Sequence, residues 1–289
     1  MSSPPVHNNV ILTADVTSLY PSIPIAAGIA AVRHTMVRFN YRIDECDFII
    51  DLLSWILNNN YCIFNDEIYR QLTGTAMGTP CAPTYANIFL YQVESPHLHR
   101  TIFYRRYIDD LFAICIDMST AQAFIDGFNR THPTIKLEAV SIGPNGIFLD
   151  LTFTIEDSIL THRLYQKPSN KYSYIPPSSS HKPSIFRSFI REELRRYLLA
   201  CSKHEDFIAL SELFQQRLLK RGYPPNTVAL AMHTLPARAE IVTRLLGPLT
   251  RTSKSSHDLK NPIIVLCLPN LVPSPKWSEI LELTLLSPS

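Results

Sequence analysis

The sequence contains no CxxC pair. Its six cysteines, Cys46, Cys62, Cys81, Cys115, Cys201 and Cys267, are scattered. That spacing excludes a zinc ribbon and a small disulfide-stapled scaffold, and most of these cysteines fall in apolar runs, where they read as reduced packing residues. No apolar run is long enough to cross a bilayer. The opening "MSSPPVHNNV" has neither the basic start nor the apolar core of a secretory leader. Net charge is also nearly absent, at +2. These absences predict a soluble intracellular chain, nuclear or cytoplasmic, with no membrane partner. What is present is 289 residues, 46% of them apolar, enough for one large domain or two smaller ones. No internal repeat is visible.

The near-zero charge hides a division. Residues 1–160 carry 9 Lys/Arg against 16 Asp/Glu, net −7. Residues 161–225 carry 12 against 5, net +7, and residues 226–289 carry 6 against 4. An acidic half followed by a basic segment suits a carboxylate site beside a polyanion-binding surface. Ordinary charge heterogeneity produces the same division, so charge alone does not decide.

The pattern along the chain predicts an α+β fold. A short apolar strand starts at Val10 and ends near Asp15, and Pro21 and Pro24 block its regular continuation. Helices are expected at 25–39 and about 44–58, the second with Phe48, Ile49, Leu52, Leu53, Ile56 and Leu57 at helical spacing. Asp44 reads as its cap, with Asp47 three residues on. "YCIFNDEIYRQL" reads as a hairpin turning at Asn65-Asp66. A Gly/Pro loop then leads into a helix at about Pro83–Glu94. Residues 101–117 read as a hairpin, followed by a helix at about 119–129 and an extended "TIKLEAV". Two more strands are expected in "GIFLDLTFTIEDSILTHRLYQKP". After Pro168 the chain becomes Pro/Ser-rich, then helical near 184–201, 204–220 and 225–245. From about 247 it is Pro/Ser-rich again, with one strand candidate, "PIIVLCL". The order implies an antiparallel or mixed sheet backed by helices.

The segment carrying most chemistry is "RRYIDDLFAI", residues 105–114. Two adjacent aspartates, Asp109 and Asp110, lie between good strand formers. An isolated Asp-Asp is usually a solvated turn. At the tip of a stiff hairpin, two close carboxylates repel and are relieved by a cation. Mg²⁺ takes oxygen ligands, commonly one or two carboxylates with substrate phosphates. A two-metal site needs another acid from a neighbouring strand, and Asp15 is the best placed.

"YIDD", Tyr107–Asp110, resembles the YxDD box of reverse transcriptases, their motif C. "DVTSLYPSIP", from Asp15, is similar to their motif A, and "GTAMGTPCAPTYANIFL", from Gly74, to motif B as found in Penelope-like retroelements. "HPTIKLEA", "IFLDLTF", "LYQKPSNKYSYIPPSSSH" and "LLKRGYP" follow in that family's order. The resemblance covers about residues 8–225, with a weaker continuation toward Trp277. It implies a reverse-transcriptase-like palm at 1–160, a helical, helix-turn-helix-like thumb at 161–246, and an extension at 247–289.

The resemblance also implies roles. Asp15, Asp109 and Asp110 would hold two Mg²⁺ ions, with Mn²⁺ as the alternative, and the backbone at Val16 would add an oxygen. Tyr20 would be the steric gate that selects dNTPs. Gly74, Met77, Gly78 and Pro80 would line the nucleotide pocket, Met77 standing where many reverse transcriptases have Gln. Lys136 would protonate the pyrophosphate, and Phe148 and Leu149 would form the primer grip. Lys167, Lys171, Arg187, Arg191 and Arg195, interleaved with Tyr165, Tyr172 and Tyr174, would hold the backbone of an RNA template with its DNA primer. Arg187, Arg191 and Arg195 fall at i, i+4 and i+8, on one helix face. Only 14 residues precede Asp15, so the family's fingers region and, at the other end, its GIY-YIG endonuclease are expected to be missing. Two other classes fit the same residues: a non-catalytic nucleic-acid-binding remnant, and a metal-dependent nuclease. The aromatic of motif A and the loop of motif B favour the polymerase.

Overall fold

The computed structural model describes residues 9–238, 240 and 241. The strand candidate at 262–268, the extension from 247 and Trp277 lie outside the described residues. The chain is α+β and divides into two compact units, one ending at Gln166 and one starting at Lys167.

The first unit runs β1 (Val10–Val16), α1 (Leu19–Ser22), α2 (Ile25–Arg38), α3 (Ile43–Asn58), β2 (Tyr61–Phe64), β3 (Glu67–Arg70), α4 (Ala82–Glu94), β4 (Phe103–Tyr107), β5 (Asp110–Cys115), α5 (Met118–Thr131), β6 (Leu137–Gly143), β7 (Asn145–Phe148), β8 (Leu151–Glu156) and β9 (Ile159–Leu164). A 3₁₀ turn, Ser95–Arg100, follows α4. The central sheet has the order β4-β5-β1-β6; β2-β3 form a separate hairpin and β7-β8-β9 a second sheet. All described pairings are antiparallel.

β1 is apolar on both faces because both are covered. Leu12, Ala14 and Val16, with Leu111, Ala113 and Cys115 of β5, join one core with Leu57, Tyr85, Phe89, Phe124 and Phe128 from the helices. The opposite face carries Ile11, Thr13 and Phe112, all buried. There the Phe112 ring lies 4.6 Å from Phe153 and 5.6 Å from Phe148 of the second sheet. Gly146 permits that contact, since a Cβ on it would come within 2.6 Å of Ile11 Cγ2 and 2.8 Å of Thr13 Cγ2. Asp15 is the one exposed residue of β1.

Local chemistry sets most boundaries. Asn65 and Asp66 both have positive φ, at 50° and 62°, as a tight two-residue hairpin turn requires. Asp157 and Ser158 do the same between β8 and β9, at 50° and 65°. The Asp117 carboxylate accepts the Thr120 N–H at 2.7 Å and starts α5.

Three expectations are corrected. α3 begins at Ile43, with Arg42 as its N-cap, rather than on an Asp44 cap. Asp44 instead pairs with the Arg42 guanidinium and Asp47 with Arg33, each at 2.7 Å. The segment after β6 yields three strands, not two, because the chain reverses at Leu149 (φ 53°) as well as at Asp157-Ser158. The helix expected at 225–245 is interrupted in its described part: α8 spans Thr227–His233 and closes before Pro236, a residue that cannot continue a helix, and Arg238, Glu240 and Ile241 are helical again, while residues 239 and 242–245 lie outside the described residues.

The second unit packs α6 (Pro183–Ala200), α7 (His204–Lys220) and α8. Its centre is Phe214, with Tyr174, Tyr197 and Phe189 at 5.2, 5.7 and 5.9 Å. α7 ends in a Schellman motif: Tyr223 N–H donates to Leu218 C=O and Gly222 N–H to Leu219 C=O, each at 3.0 Å. Gly222 supplies the left-handed φ of 91° that this closure needs.

Replacing Phe112 by Ala should empty the space between the two sheets. The expected loss is about 3–5 kcal/mol of unfolding free energy, read from urea denaturation.

Candidate catalytic site at the acidic hairpin

β4 and β5 are joined by a two-residue turn, Ile108-Asp109, closed by the pair Tyr107 and Asp110. The two aspartates therefore do not share the turn. Asp109 sits in it, and Asp110 is the first residue of β5. In the β1–β5 register Asp110 lies opposite Asp15, and in the β1–β6 register Glu138 lies opposite Asp15. Residues directly opposed across antiparallel strands project to the same face, with Cβ atoms about 4.5–5.5 Å apart. Tyr107, Asp110, Asp15 and Glu138 thus form a row across four strands. Asp109 enters it from the turn, where its carbonyl accepts the Val16 N–H at 3.0 Å. Glu138 is the member that sequence reading missed. Its segment was read as extended, but only register shows what it faces.

The row has an electrostatic signature. The Asp15 carboxyl is raised above its ordinary value, first by burial, then by the nearby Asp109 and Glu138 charges, against a backbone hydrogen bond from Val16. The Tyr20 hydroxyl is also raised, by burial and then by Asp109 and Tyr107. Tyr20 is thus within electrostatic reach of Asp109 and Tyr107.

The Gly/Pro loop meets the same place. Thr75 N–H donates to the Tyr20 carbonyl at 2.9 Å. Gly74 has φ 72°, and a Cβ there would collide with the Pro21 backbone and come within 2.6 Å of the Tyr20 carbonyl. Glycine is therefore required at 74 twice over, by conformation and by space. Gly78 has φ 93° in open surroundings. Met77, 77% exposed, and the exposed Pro80 project from the loop.

Other expected site residues are placed differently. Lys136 adjoins the end of β1 through its carbonyl, which accepts the Thr17 N–H at 2.9 Å. Its ammonium donates to the Asn129 carbonyl on α5 at 2.9 Å. Phe148 is 4% exposed and packs on Phe112, so its ring belongs to the core between the sheets. Leu149, half-buried, occupies the adjoining turn. In the second unit Lys167, Lys171, Arg187 and Arg191 are exposed and Arg195 is partly so. Arg191 and Arg195 both approach Glu192, at 3.7 and 3.1 Å. The tyrosines interleaved with these cations are engaged in packing: Arg217 stacks on Tyr172 at 3.4 Å, and Tyr174 packs on Phe189 and Phe214.

Beneath the turn lies a buried ion pair. Arg106 is 9% exposed and Glu94, on α4, 2%. Arg106 Nε and Nη2 donate to the two Glu94 oxygens at 2.6 and 3.2 Å. Its Nη1 donates to Asn87 Oδ1 at 2.7 Å and to the Ile108 carbonyl at 2.8 Å. The Tyr104 hydroxyl completes the group, donating to Glu94 at 2.7 Å. Burial works against the Arg106 charge, but Glu94 overcompensates and holds it above its ordinary value.

Among the described residues, no group of three or more His, Cys, Asp or Glu converges closely enough to hold a metal ion. The donor chemistry nevertheless suits a hard cation. The acids supply only oxygen ligands, and Asp15 is disfavoured by its neighbours' negative charge, which a divalent cation would offset. No described helix is long and apolar enough to cross a membrane.

Comparison with known proteins places this geometry in a fold. A family described as "Animal helix-turn-helix domain" matches residues 173–233. The search of curated proteins found no match. Among solved structures, the chain is similar to telomerase from Candida albicans in complex with a TWJ fragment of telomeric RNA: TM-score 0.54, 10% identity, 84% of this chain and 43% of that one. It also matches the Sicinivirus 3Dpol RNA-dependent RNA polymerase, at TM-score 0.46 and 11% identity, over 84% of this chain and 52% of that one. The chain spans 35% to 45% of the length of the telomerase chains it matches. At these identities the likeness to the Candida albicans enzyme concerns the fold, which is that of a polymerase palm: antiparallel strands backed by helices, with acids at the strand ends.

The raised Asp15 carboxyl has a consequence for stability. A folded-state value above the unfolded one means that the folded chain holds the extra proton. Ionised Asp15 therefore costs stability above its folded pKa, and that cost disappears as pH falls below the ordinary carboxylate value. Asp15→Asn should melt higher than the parent in EDTA at neutral pH. The difference should close below about pH 4. Melting curves across pH check it, and a difference independent of pH would contradict it.

Proposed function

We propose that this chain is the palm and thumb of a reverse transcriptase of the Penelope-like kind, catalysing nucleotidyl transfer onto a primer 3′-hydroxyl. The observation that carries the reading is the register that sets Asp110 opposite Asp15, with Asp109 in the adjoining turn. Asp15, Asp109 and Asp110 would hold two Mg²⁺ or Mn²⁺ ions, with the Val16 carbonyl as a further oxygen. Bound there, the ions would favour ionisation of the primer hydroxyl and neutralise charge on the triphosphate.

The chain's own residues would do the positioning. Tyr20, fastened to the motif B loop through Thr75, would sit under the incoming sugar and exclude a 2′-hydroxyl, selecting dNTPs. Gly74, Met77, Gly78 and Pro80 would border the nucleotide. Lys136 would exchange the Asn129 carbonyl for the leaving pyrophosphate and give it a proton. Leu149, rather than the buried Phe148, would meet the primer. Lys167, Lys171, Arg187, Arg191 and Arg195 would contact the backbone of the RNA template and DNA primer. The helix-turn-helix match over 173–233 supports a nucleic-acid role for this unit.

A second reading is a non-catalytic nucleic-acid-binding remnant. It is favoured by the absence, among the described residues, of a converged metal-ligand set. Primer extension on an RNA template separates the two, with the full chain alone and joined to a polymerase fingers segment. Under the first reading Asp109→Asn should abolish Mg²⁺-dependent incorporation, because a neutral amide is a poor ligand for a hard cation. The same variant should melt in EDTA at the parent temperature or slightly above it, because repulsion is relieved. Retained incorporation with a lower melting temperature would make Asp109 a structural turn residue.

Binding of template–primer should be independent of sequence and fall with salt. Log K should drop by about 0.7–0.9 per neutralised phosphate for each unit of log salt. A flat salt response in filter binding would remove the thumb assignment.

A further inference from the structure

The turn that carries Asp109 has an unfavourable backbone. Ile108 has φ 55°. A β-branched side chain rarely adopts the left-handed region, and such a residue persists only where its surroundings hold it. Two hydrogen bonds grip the two peptide planes that flank Asp109. The buried Arg106 guanidinium donates to the Ile108 carbonyl at 2.8 Å, and the Val16 N–H donates to the Asp109 carbonyl at 3.0 Å. Arg106 cannot drift, because its remaining donors are fixed on Glu94 and Asn87 of α4.

We propose that Arg106 is a positioning residue for the acidic row: anchored on Glu94 and Asn87, it holds the Ile108 turn so that Asp109 faces Asp15 before any ligand binds. Arg106 is separated from the row itself and acts only through the turn. Lysine cannot replace it, because three donors on a compact ammonium do not span two Glu94 oxygens, Asn87 and a turn carbonyl in the planar fork that guanidinium provides. Glycine at 108 should make it dispensable, because glycine takes φ 55° without strain.

The test is a double-mutant cycle on the full chain with Arg106→Lys, Ile108→Gly and the pair combined. The first readout is hydrogen exchange at the Val16 amide, with the amides of Ile11 to Thr13 as internal reference. It needs no metal and no activity. Arg106→Lys should speed Val16 exchange about tenfold over the reference amides, and adding Ile108→Gly should restore it. The second readout, Mn²⁺ affinity by electron paramagnetic resonance, rests on the polymerase reading. It should fall about tenfold or more with Arg106→Lys and recover in the pair. Should Arg106→Lys alone fail to fold, recovery of folding in the pair supports the proposal and its absence overturns it. Uniform acceleration of Val16 and reference amides, or no rescue by Ile108→Gly, would make Arg106 a core ion pair only. If the exchange results hold while the parent chain binds no Mn²⁺, the positioning role stands and the metal reading of the site fails.

Discussion

The acidic site depends on a charge that is largely buried. Arg106 and Glu94 are buried together, and two ions taken out of water are stable only when their geometry and their remaining hydrogen bonds are nearly complete. Here they are: both Glu94 oxygens are used, Tyr104 adds a donor, and the guanidinium spends its other donors on Asn87 and the Ile108 carbonyl. Removing one partner of such a pair typically costs about 3–5 kcal/mol, because the other is left charged and dry. α4, β4 and the turn are thereby fastened at one point. A rigid palm is what a site made of mutually repelling acids requires, since nothing in the acids themselves holds them together.

That repulsion shapes the first unit. The helix-covered face and the β7–β9-covered face of β1 leave only Asp15 exposed. The strand is therefore held by apolar contacts along its length and releases one charged residue at its end. β5 repeats the scheme, with Leu111, Phe112 and Ala113 buried directly after Asp110. Asp15 pays for its place with a raised carboxyl value.

The second unit is built on a different principle. Its core is aromatic, centred on Phe214, and the segment before α6 is tied down by Arg221 donating to the Tyr174 carbonyl and Tyr223 to the Ile175 carbonyl, at 2.8 and 2.7 Å. The match to a helix-turn-helix family begins at 173, within this tied segment. Tyr172 and Tyr174, which the sequence interleaves with the cations, are engaged in packing, while Lys167, Lys171, Arg187 and Arg191 are exposed.

Much of this was legible in the sequence. Local signals carried the helices, the Asn65-Asp66 turn and the hairpin around "YIDD", because periodicity, capping and turn chemistry act over a few residues. The α+β class followed from their order. Strand-end position drew attention to Asp15, Asp109 and Asp110, with both aspartates placed in the turn, and the motif resemblance added Tyr20, Gly74 and Phe148; the register sets Asp110 opposite Asp15, and Phe148 is buried. Three things were decided only in three dimensions. Register made Glu138 a neighbour of Asp15, across 122 residues of intervening chain that carry no trace of the pairing. Burial turned Arg106, one of two adjacent arginines in "RRYIDD", into the anchor of the turn while Arg105 lies over the Phe103 ring. Packing space made Gly146 indispensable between two sheets. Each of these depends on which strand lies beside which, and local sequence does not encode that choice, because strand pairing is set by the burial of the whole sheet.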